Sequence, residues 1–279
     1  AILTWNIVTL LTFATLASLP DLAGPVLRSK EFSELVPSIK LLAKTIKDPT
    51  ELRKLADEIG VVARQSVETM YINGAELEAM GVRVADFICD VGDQSQVEAA
   101  FVATVEALGR VDSCFVNAGV GGRAESFVSM TDDEWHRVMR VNLDGAFYTA
   151  QVAVRHMVAA GNGGAVVFTT SGSAYYGQAR GQHYGASKAG VISMMKAIAV
   201  EHARHGIRCN AILPGWIESE MTEAALGWDT FIAKVLPRVP LRRWGDPNDF
   251  SGIAAYFASD ASKYHTGDVI TIDGGYHSF

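Results

Sequence analysis

The feature that most constrains the fold of this chain is a regular alternation of helix-like and strand-like segments from about residue 74 onward. Apolar residues at helical spacing mark the helices, and short apolar runs bounded by turn residues mark the strands. This alternation is typical of βαβ units and predicts a parallel sheet. The predicted strands are 82–91, 111–116, 164–170, 207–213 and 268–272; the predicted helices are one that ends at Gly81, then 94–108, 131–160, 185–205 and a segment that begins at Asp246-Pro247.

Several of these strands are continuous apolar runs, as expected when helices cover both faces of a sheet. Ligands of such sheets bind beyond the carboxyl ends of the strands. Polar or turn-forming residues stand at the ends of four predicted strands, at Asp90, Asn117, Ser171 and Pro214-Gly215. We therefore expect these positions to meet at one edge of the sheet and to form a binding site there.

Tyr184 and Lys188 are four residues apart, a spacing that places both side chains on one face of a helix. An ammonium beside a phenol favours the phenolate and is expected to lower a phenol pKa that is about 10 in isolation. Ser171 lies thirteen residues upstream, where its hydroxyl can hold a carbonyl oxygen. The three side chains predict acid/base chemistry at an alcohol oxygen, although Tyr-x-x-x-Lys alone is also common on ordinary helix surfaces.

Charge and cysteine content argue against two classes of function. The 279 residues carry a formal net charge of −7, so no basic excess exists to neutralise nucleic-acid phosphates. Cys89, Cys114 and Cys209 are widely spaced and form neither a zinc-binding nor a disulfide pattern. We expect buried reduced thiols, no metal site and a cytoplasmic location.

The first nineteen residues carry no charged side chain, and this apolar run ends at Pro20-Asp21. No basic region precedes it, which argues against a secretory signal. Its threonines, Asn6 and its short length argue against a membrane span. We expect residues 1–29 to be an apolar extension, either buried or derived from a vector, before a single domain at 30–279.

Residues 74–279 resemble the short-chain dehydrogenase/reductase family. The matching residues occur in the family's order and near its spacing: Asp90-Val91, Asn117-Ala118-Gly119, Asn142, Ser171, Tyr184-x-x-x-Lys188, Pro214-Gly215 and an ending with Gly267 and Asp273-Gly274-Gly275. The resemblance implies that residues 30–279 form a single NAD(P)-binding catalytic domain with a Rossmann-type fold, in which helices flank both faces of a doubly wound parallel β-sheet. It also implies an NAD(P)-dependent oxidoreductase that interconverts a secondary alcohol and a ketone by hydride transfer.

The resemblance further implies a role for each matching residue. Tyr184 would transfer the proton, with Ser171 polarising the carbonyl. Lys188 would tune Tyr184 and hold the nicotinamide ribose, while Asn142 would distort its helix and hold a water that feeds protons to Lys188. The implied cofactor-binding set is Asp90 at the adenine amino group, Val91 in the adenine pocket, Asn117, Ala118 and Gly119 at the adenosine ribose, and Pro214, Gly215, Ile217 and Ser219 around the nicotinamide. Two alternatives to these roles remain open: residues 117–119 and 214–215 form plain turns, and the side chain of Asn142 faces the solvent.

The chain departs from the family at its amino-terminal end, where the glycine-rich loop T-G-x-x-x-G-x-G is missing. Residues 1–73 contain only Gly24 and Gly60, although glycine lets backbone amides approach a pyrophosphate at a helix N-terminus. The best substitute is a strand-like run at 38–43 before a helix that begins at Asp48-Pro49, where the carboxylate would oppose a diphosphate. Either this region has diverged, or residues 1–73 are not the true translated chain.

Cofactor choice and enzymatic activity both depend on that region. A strand at 59–64 would end on Arg64 without an acidic residue, which suits the extra phosphate of NADP and favours NADP slightly over NAD. The missing loop keeps open a second hypothesis, a cofactor-poor relative that serves as a binding or scaffold subunit. Relatives with dehalogenation or epoxide chemistry replace the lysine by arginine, so Lys188 argues against that activity.

Substrate and assembly are less closely specified. The loop at 216–241 is expected to cover the site with an apolar set comprising Trp216, Met221, Leu226, Trp228 and Phe231, while Tyr176, Gln178 and His183 are candidate polar contacts. His183 is equally well a surface histidine. The substrate is a small alcohol or ketone, and sugars, polyols, cyclic alcohols and hydroxylated lipids all remain open. The resemblance implies a homodimer or homotetramer through two long helices, although the apolar segment at 189–200 would equally suit the core.

Overall fold

A computed structural model describes residues 4–5, 84–122, 126–219 and 221–278 of the chain. Within them, four parallel strands form a sheet in the order β3-β4-β5-β6: β3 (Ser113–Val116), β4 (Gly164–Thr169), β5 (Ile207–Pro214) and β6 (Val269–Ile272). Two short strands, β1 (Thr4–Trp5) and β2 (Phe87–Ile88), pair with each other in antiparallel fashion. The strand predicted at 59–64, Arg64, the helix predicted before Gly81 and most of the segment 1–29 lie outside the described residues.

Seven α-helices connect or cover the strands in this part of the chain: α1 (Gln94–Leu108), α2 (Asp132–Met139), α3 (Gly145–Ala160), α4 (Gln182–His202), α5 (Glu223–Leu226), α6 (Asp229–Val235) and α7 (Ser251–Ala258). A π-helical turn, Arg140–Asp144, joins α2 to α3 without a break. Among the described residues, no helix is both long and apolar enough to cross a bilayer.

Local capping explains where several helices begin. Asp93 accepts hydrogen bonds from the amides of Ser95 and Gln96 at the start of α1. Thr131 does the same for the amide of Glu134 at 3.2 Å, which begins α2 near the predicted position.

Helix α4 begins three residues earlier than predicted. The strand predicted at 82–91 is wrong in extent, because only Phe87–Ile88 pairs within the described residues and Ile88 is 76% exposed.

The core lies on both faces of the sheet, because side chains of successive strand residues point to opposite faces. Cys114, Val166 and Phe168 belong to the larger apolar cluster, which also contains residues of α1, α3 and α4. Val167 and Ile212 point the other way and pack against Phe257 of α7. This arrangement confirms the predicted parallel sheet with helices on both faces.

The three cysteines are free and buried, as predicted. Burial raises the pKa of Cys114 and of Cys209 to about 12 and that of Cys89 to about 11. Thiols with such pKa values stay protonated near neutral pH and are poor nucleophiles.

The start of β4 is closely packed, and a methyl group at Gly164 is expected to destabilise the protein by about 1–3 kcal/mol. A Cβ there would lie 2.5 Å from Sδ of Met157 and 2.9 Å from the carbonyl oxygen of Asp112. Gly252 of α7 is the matched control, since a Cβ there meets no atom within 4 Å. Gly252→Ala should stabilise by up to about 1 kcal/mol. Urea denaturation measures both changes, and shifts of the same sign would contradict this packing.

Candidate active site

The carboxyl ends of parallel strands meet at one edge of the sheet, and the residues that follow them lie together there. Asn117 follows β3, Thr170 and Ser171 follow β4, Gly215 follows β5 and Asp273 follows β6. The hydroxyl of Thr169 donates a 2.7 Å hydrogen bond to Oδ1 of Asn117, which joins the ends of β3 and β4. The structure therefore brings together the predicted positions at 117, 171 and 215.

Tyr184 lies in the first turn of α4, and the hydroxyl of Ser171 lies near its phenol. Burial raises the pKa of Tyr184, and the Ser171 hydroxyl offsets part of that rise. The predicted lowering of this pKa by Lys188 is therefore wrong in net direction. The lysine Nζ lies 5.8 Å from the centroid of the Tyr184 ring, and burial of the phenol sets the direction of its pKa shift.

Lys188 is buried one turn further along α4, with 5% of its surface exposed. Burial lowers the pKa of its amine to about 8. Nζ donates a 2.9 Å hydrogen bond to the carbonyl oxygen of Thr169 at the end of β4. A Cβ at Gly119 would lie 3.3 Å from this Nζ, so the glycine of the 117–119 segment allows close approach of the amine to the backbone.

Asn142 lies in the π-helical turn between α2 and α3 and is 1% exposed, so the solvent-facing alternative is wrong. Its side-chain oxygen accepts the amide of Val120 at 2.7 Å, and its side-chain nitrogen donates to the carbonyl of Val120 at 3.0 Å. The same nitrogen donates to Oγ of Ser187 at 3.2 Å. Both amide hydrogens are therefore used, and the implied water-holding role remains a prediction.

The remaining cofactor-binding candidates contact residues other than Ser171, Tyr184 and Lys188. Asp90 pairs with Arg140 at 2.8 Å and accepts the amide of Gly92 at 3.0 Å. Val91 is 1% exposed and packs against Gly145. Ile217 bridges to Gly245, and the exposed Ser219 hydroxyl lies 2.9 Å from that of Thr222. Arg64 lies outside the described residues.

Asp273 and His277 form a polar wall beside Ser171. Asp273 belongs to the family-like ending of the chain, but neither residue was predicted to be part of the site. Oδ2 of Asp273 lies 2.7 Å from Nδ1 of His277, and the imidazole stacks on Tyr176 with ring centroids 4.5 Å apart. A Cβ at Gly172, the residue after Ser171, would overlap this imidazole. Asp273 also touches the backbone of Gly215 on its other side, where a Cβ would lie 2.6 Å from its Cα. Apart from the family-like ending that contains Asp273, the four-residue spacing of an acid and a histidine is the local signal of this pair.

His183 is neither a substrate contact nor a surface histidine, and both interpretations are wrong. The side chain is fully buried, and its Nε2 lies 3.3 Å from Oε1 of Glu134. Glu134 in turn accepts hydrogen bonds from Arg137. No local pattern in the sequence signals this contact between residues 49 positions apart.

The segment 216–241 packs partly on itself near the site. Trp216 meets Phe231 edge to face at 4.8 Å, and Phe231 stacks on Trp244. Met221 is 53% exposed and lies against Gly121, where a Cβ would be 3.6 Å from its Cγ. Trp228 is 60% exposed. Part of the predicted apolar set therefore packs within the segment, and Met221 faces the loop after β3.

Comparisons with known proteins were consistent with one family. Residues 61–277 match a family model described as Enoyl-(Acyl carrier protein) reductase. The chain is 38% identical over 201 residues to an L-rhamnose 1-dehydrogenase (NAD(P)(+)) from Sphingomonas sp. (strain SKA58), which covers 72% of this chain and 79% of that protein.

Solved structures show the same likeness in three dimensions. A short-chain type dehydrogenase/reductase from Mycobacterium marinum has a TM-score of 0.72 and 34% identity, covering 81% of this chain and 89% of that one. A gluconate 5-dehydrogenase from Burkholderia cenocepacia J2315, in complex with NADP and tartrate, has a TM-score of 0.70 and 30% identity, covering 82% and 90%.

Proposed function

Because this chain belongs to the short-chain dehydrogenase/reductase family, we propose that it is an NAD(P)-dependent oxidoreductase that interconverts a secondary alcohol and a ketone. The observation that carries the proposal is the buried amine of Lys188, which lies 5.8 Å from the centroid of the Tyr184 ring, with the Ser171 hydroxyl near the phenol. A phenol paired with a hydroxyl at the ligand-binding edge of the sheet can exchange a proton with a substrate oxygen.

The described residues fit the nicotinamide half of NAD(P). A buried amine, the Ser171–Tyr184 pair and the glycine backbone of Gly119 and Gly215 lie at the same edge of the sheet. Lys188 would hold the nicotinamide ribose, and Pro214 and Gly215 with Ile217 and Ser219 would flank the ring. The 117–119 segment would hold the adenosine ribose, with Asp90 and Val91 at the adenine.

When bound, the nicotinamide supplies or accepts the hydride. Tyr184 gives its proton to the carbonyl oxygen during reduction and takes it back during oxidation. Ser171 donates a hydrogen bond to the same oxygen and keeps it beside the phenol. Since burial raises the pKa of Tyr184, the neutral phenol is the dominant form near pH 7, and it is ready to protonate a ketone.

A hydroxylated substrate, such as a sugar or sugar acid, suits the site best. The imidazole of His277 and the carboxylate of Asp273 add polar groups beside Ser171, and the stacked Tyr176 is 52% exposed. Similar proteins are named for L-rhamnose and gluconate, whereas the family model is named for an acyl carrier protein thioester. Buried polar groups discriminate strongly in favour of substrates that can pair with them.

Titration of the purified protein with NADPH and with NADH, followed by nicotinamide fluorescence, tests the proposal. We expect binding of NADPH, binding of NADH that is equal or weaker, and turnover of L-rhamnose or gluconate rather than a 3-oxoacyl thioester. Absence of binding of either nucleotide at millimolar concentration would contradict the enzyme assignment and favour the scaffold subunit.

The assembly is proposed to be a homodimer or homotetramer through α3 and α4. Phe147 of α3 is 43% exposed and Val200 of α4 is 83% exposed, which leaves apolar surface on both helices. Light scattering measures the mass in solution, and a monomer mass would exclude this assembly.

A further inference from the structure

Three polar side chains are packed together between α2, α4 and the loop after β3. Glu134 is 4% exposed and His183 is fully buried. The guanidinium of Arg137 donates to both carboxylate oxygens of Glu134, at 2.8 and 2.9 Å. The same guanidinium donates to the carbonyl oxygen of Gly121 at 2.8 Å, and Oε1 of Glu134, which accepts from Arg137, also lies 3.3 Å from Nε2 of His183.

A buried ion pair of this kind is weak evidence for stability, because desolvation of the charges offsets their attraction. The contacts that Arg137 and His183 make with the loop after β3 are stronger evidence that the cluster positions this loop. The planar fork of Arg137 bonds to Glu134 and to the carbonyl of Gly121 at the same time, which fixes the loop relative to α2. His183 packs so closely on the next residue, Gly122, that a Cβ there would overlap the imidazole. The cluster therefore holds two consecutive residues of the loop.

A second contact holds the same loop one residue earlier. Asn142 bonds to both the amide and the carbonyl of Val120, and it also bonds to Ser187 of α4. His183 and Ser187 are four residues apart on α4, so they share a face of that helix. Each is followed directly by a residue of the proposed catalytic pair, Tyr184 and Lys188. The loop and α4 are thus joined at both ends of the helical turn that carries this pair.

We propose that Glu134, Arg137 and His183 form a positioning cluster that sets the distance between the loop at 119–122 and the face of α4 that carries Tyr184. The inference rests on the proposed function, because it assigns the cluster to the geometry of that same site. Gly119 transmits the effect directly, since it packs against Nζ of Lys188. A small displacement of a reacting group lowers the rate without a matching loss of binding.

Arg137→Lys tests the cluster, because lysine keeps the charge but cannot bond to Glu134 and Gly121 in the same fork geometry. Hydrogen–deuterium exchange of the peptide at 117–122 should accelerate by about tenfold or more. The kcat should fall by about tenfold or more while KM stays within about twofold. Arg155→Lys is the matched control: its ion pair with Glu98 is exposed and 3.6 Å long, and we expect no change in exchange or turnover.

A double-mutant cycle tests the same cluster and leaves Arg137 unchanged. Gly122→Ala should push the loop away from the imidazole and lower kcat by about tenfold. In a His183→Ala background the same change should have little effect, since the overlapping ring is gone. If the decrease in kcat of the double variant equals the product of the two single decreases to within about twofold, the proposed contact is wrong.

The two proposals fail in different ways. If the wild-type protein binds no nicotinamide and turns over no substrate, the proposed function fails, while the exchange experiment still reports on the cluster. If the wild-type protein is active but Arg137→Lys matches Arg155→Lys in both exchange and kcat, the positioning role fails alone.

Discussion

Replacing Tyr184 by phenylalanine is expected to lower turnover by about 10²–10⁴-fold and to leave the fold intact. The variant loses only the hydroxyl that lies near Ser171, while the ring still fills its place in the first turn of α4. Steady-state kinetics on the substrate found by screening, with circular dichroism as a check of folding, measures the effect. Tyr264→Phe is the matched control, because Tyr264 is fully exposed and should tolerate the change.

The direction of the Tyr184 pKa shift adds a dependence on pH to this prediction. Burial raises the pKa of the phenol, so the protonated form needed for ketone reduction is available near neutral pH. Alcohol oxidation needs the phenolate, and its rate should therefore rise with pH above neutrality in the wild-type protein. A Tyr184→Phe variant that kept the wild-type rate, or the same rise with pH, would show that another group exchanges the proton.

Lys188→Met is expected to change how stability depends on pH. Burial lowers the pKa of Lys188 from 10.5 to about 8, so between these values the unfolded chain holds more protons than the folded one. The free energy of unfolding of the wild-type protein should therefore rise with pH across this window. Below pH 8 the full cost of burying the ammonium, on the order of 3 kcal/mol, acts against folding.

Methionine has a similar length and no charge, so the variant lacks this cost at every pH. It also loses the hydrogen bond to Thr169, but the neutral amine can still donate this bond, so the loss applies at both pH values. Urea denaturation at about pH 7 and about pH 10 measures the free energy of unfolding of both proteins. The difference, variant minus wild type, should fall by roughly 3 kcal/mol between the two pH values, because the lysine of the wild type deprotonates. The titrations of tyrosine and cysteine are shared by both proteins and cancel. Lys196→Met, an exposed site on α4, should show no such change, and an equal change in both variants would argue against a buried ammonium at 188.

Elements with local signals were predicted closely. Helix α1 spans Gln94–Leu108 as the pattern indicated, because Asp93 caps its start and Gly109, with a φ of +99°, ends it. Asp246 and Pro247 also begin their helical segment as predicted, with Asp246 and Asp249 forming a capping box. The strand at 82–91 was predicted too long, since strand extent depends on a pairing partner elsewhere in the chain.

The sequence predicted which residues of the candidate site lie near one another, but it did not predict the direction of the Tyr184 pKa shift. Asn117, Ser171, Tyr184 and Lys188 meet as expected, since parallel topology places strand ends at one edge. The direction of the Tyr184 pKa shift was wrong, because the depth of burial of a side chain cannot be read from its neighbours along the chain.

Short-range information in the chain was enough for the helix starts, the parallel α/β architecture and the spacing of the proposed catalytic side chains, because capping, apolar periodicity and the helical turn act over a few residues. Packing in three dimensions alone established the burial of Lys188, the Asp273–His277 wall and the cluster of Glu134, Arg137 and His183. These depend on segments far apart in the chain that exclude water together, and it is the loss of water that shifts the pKa values and makes the buried contacts specific.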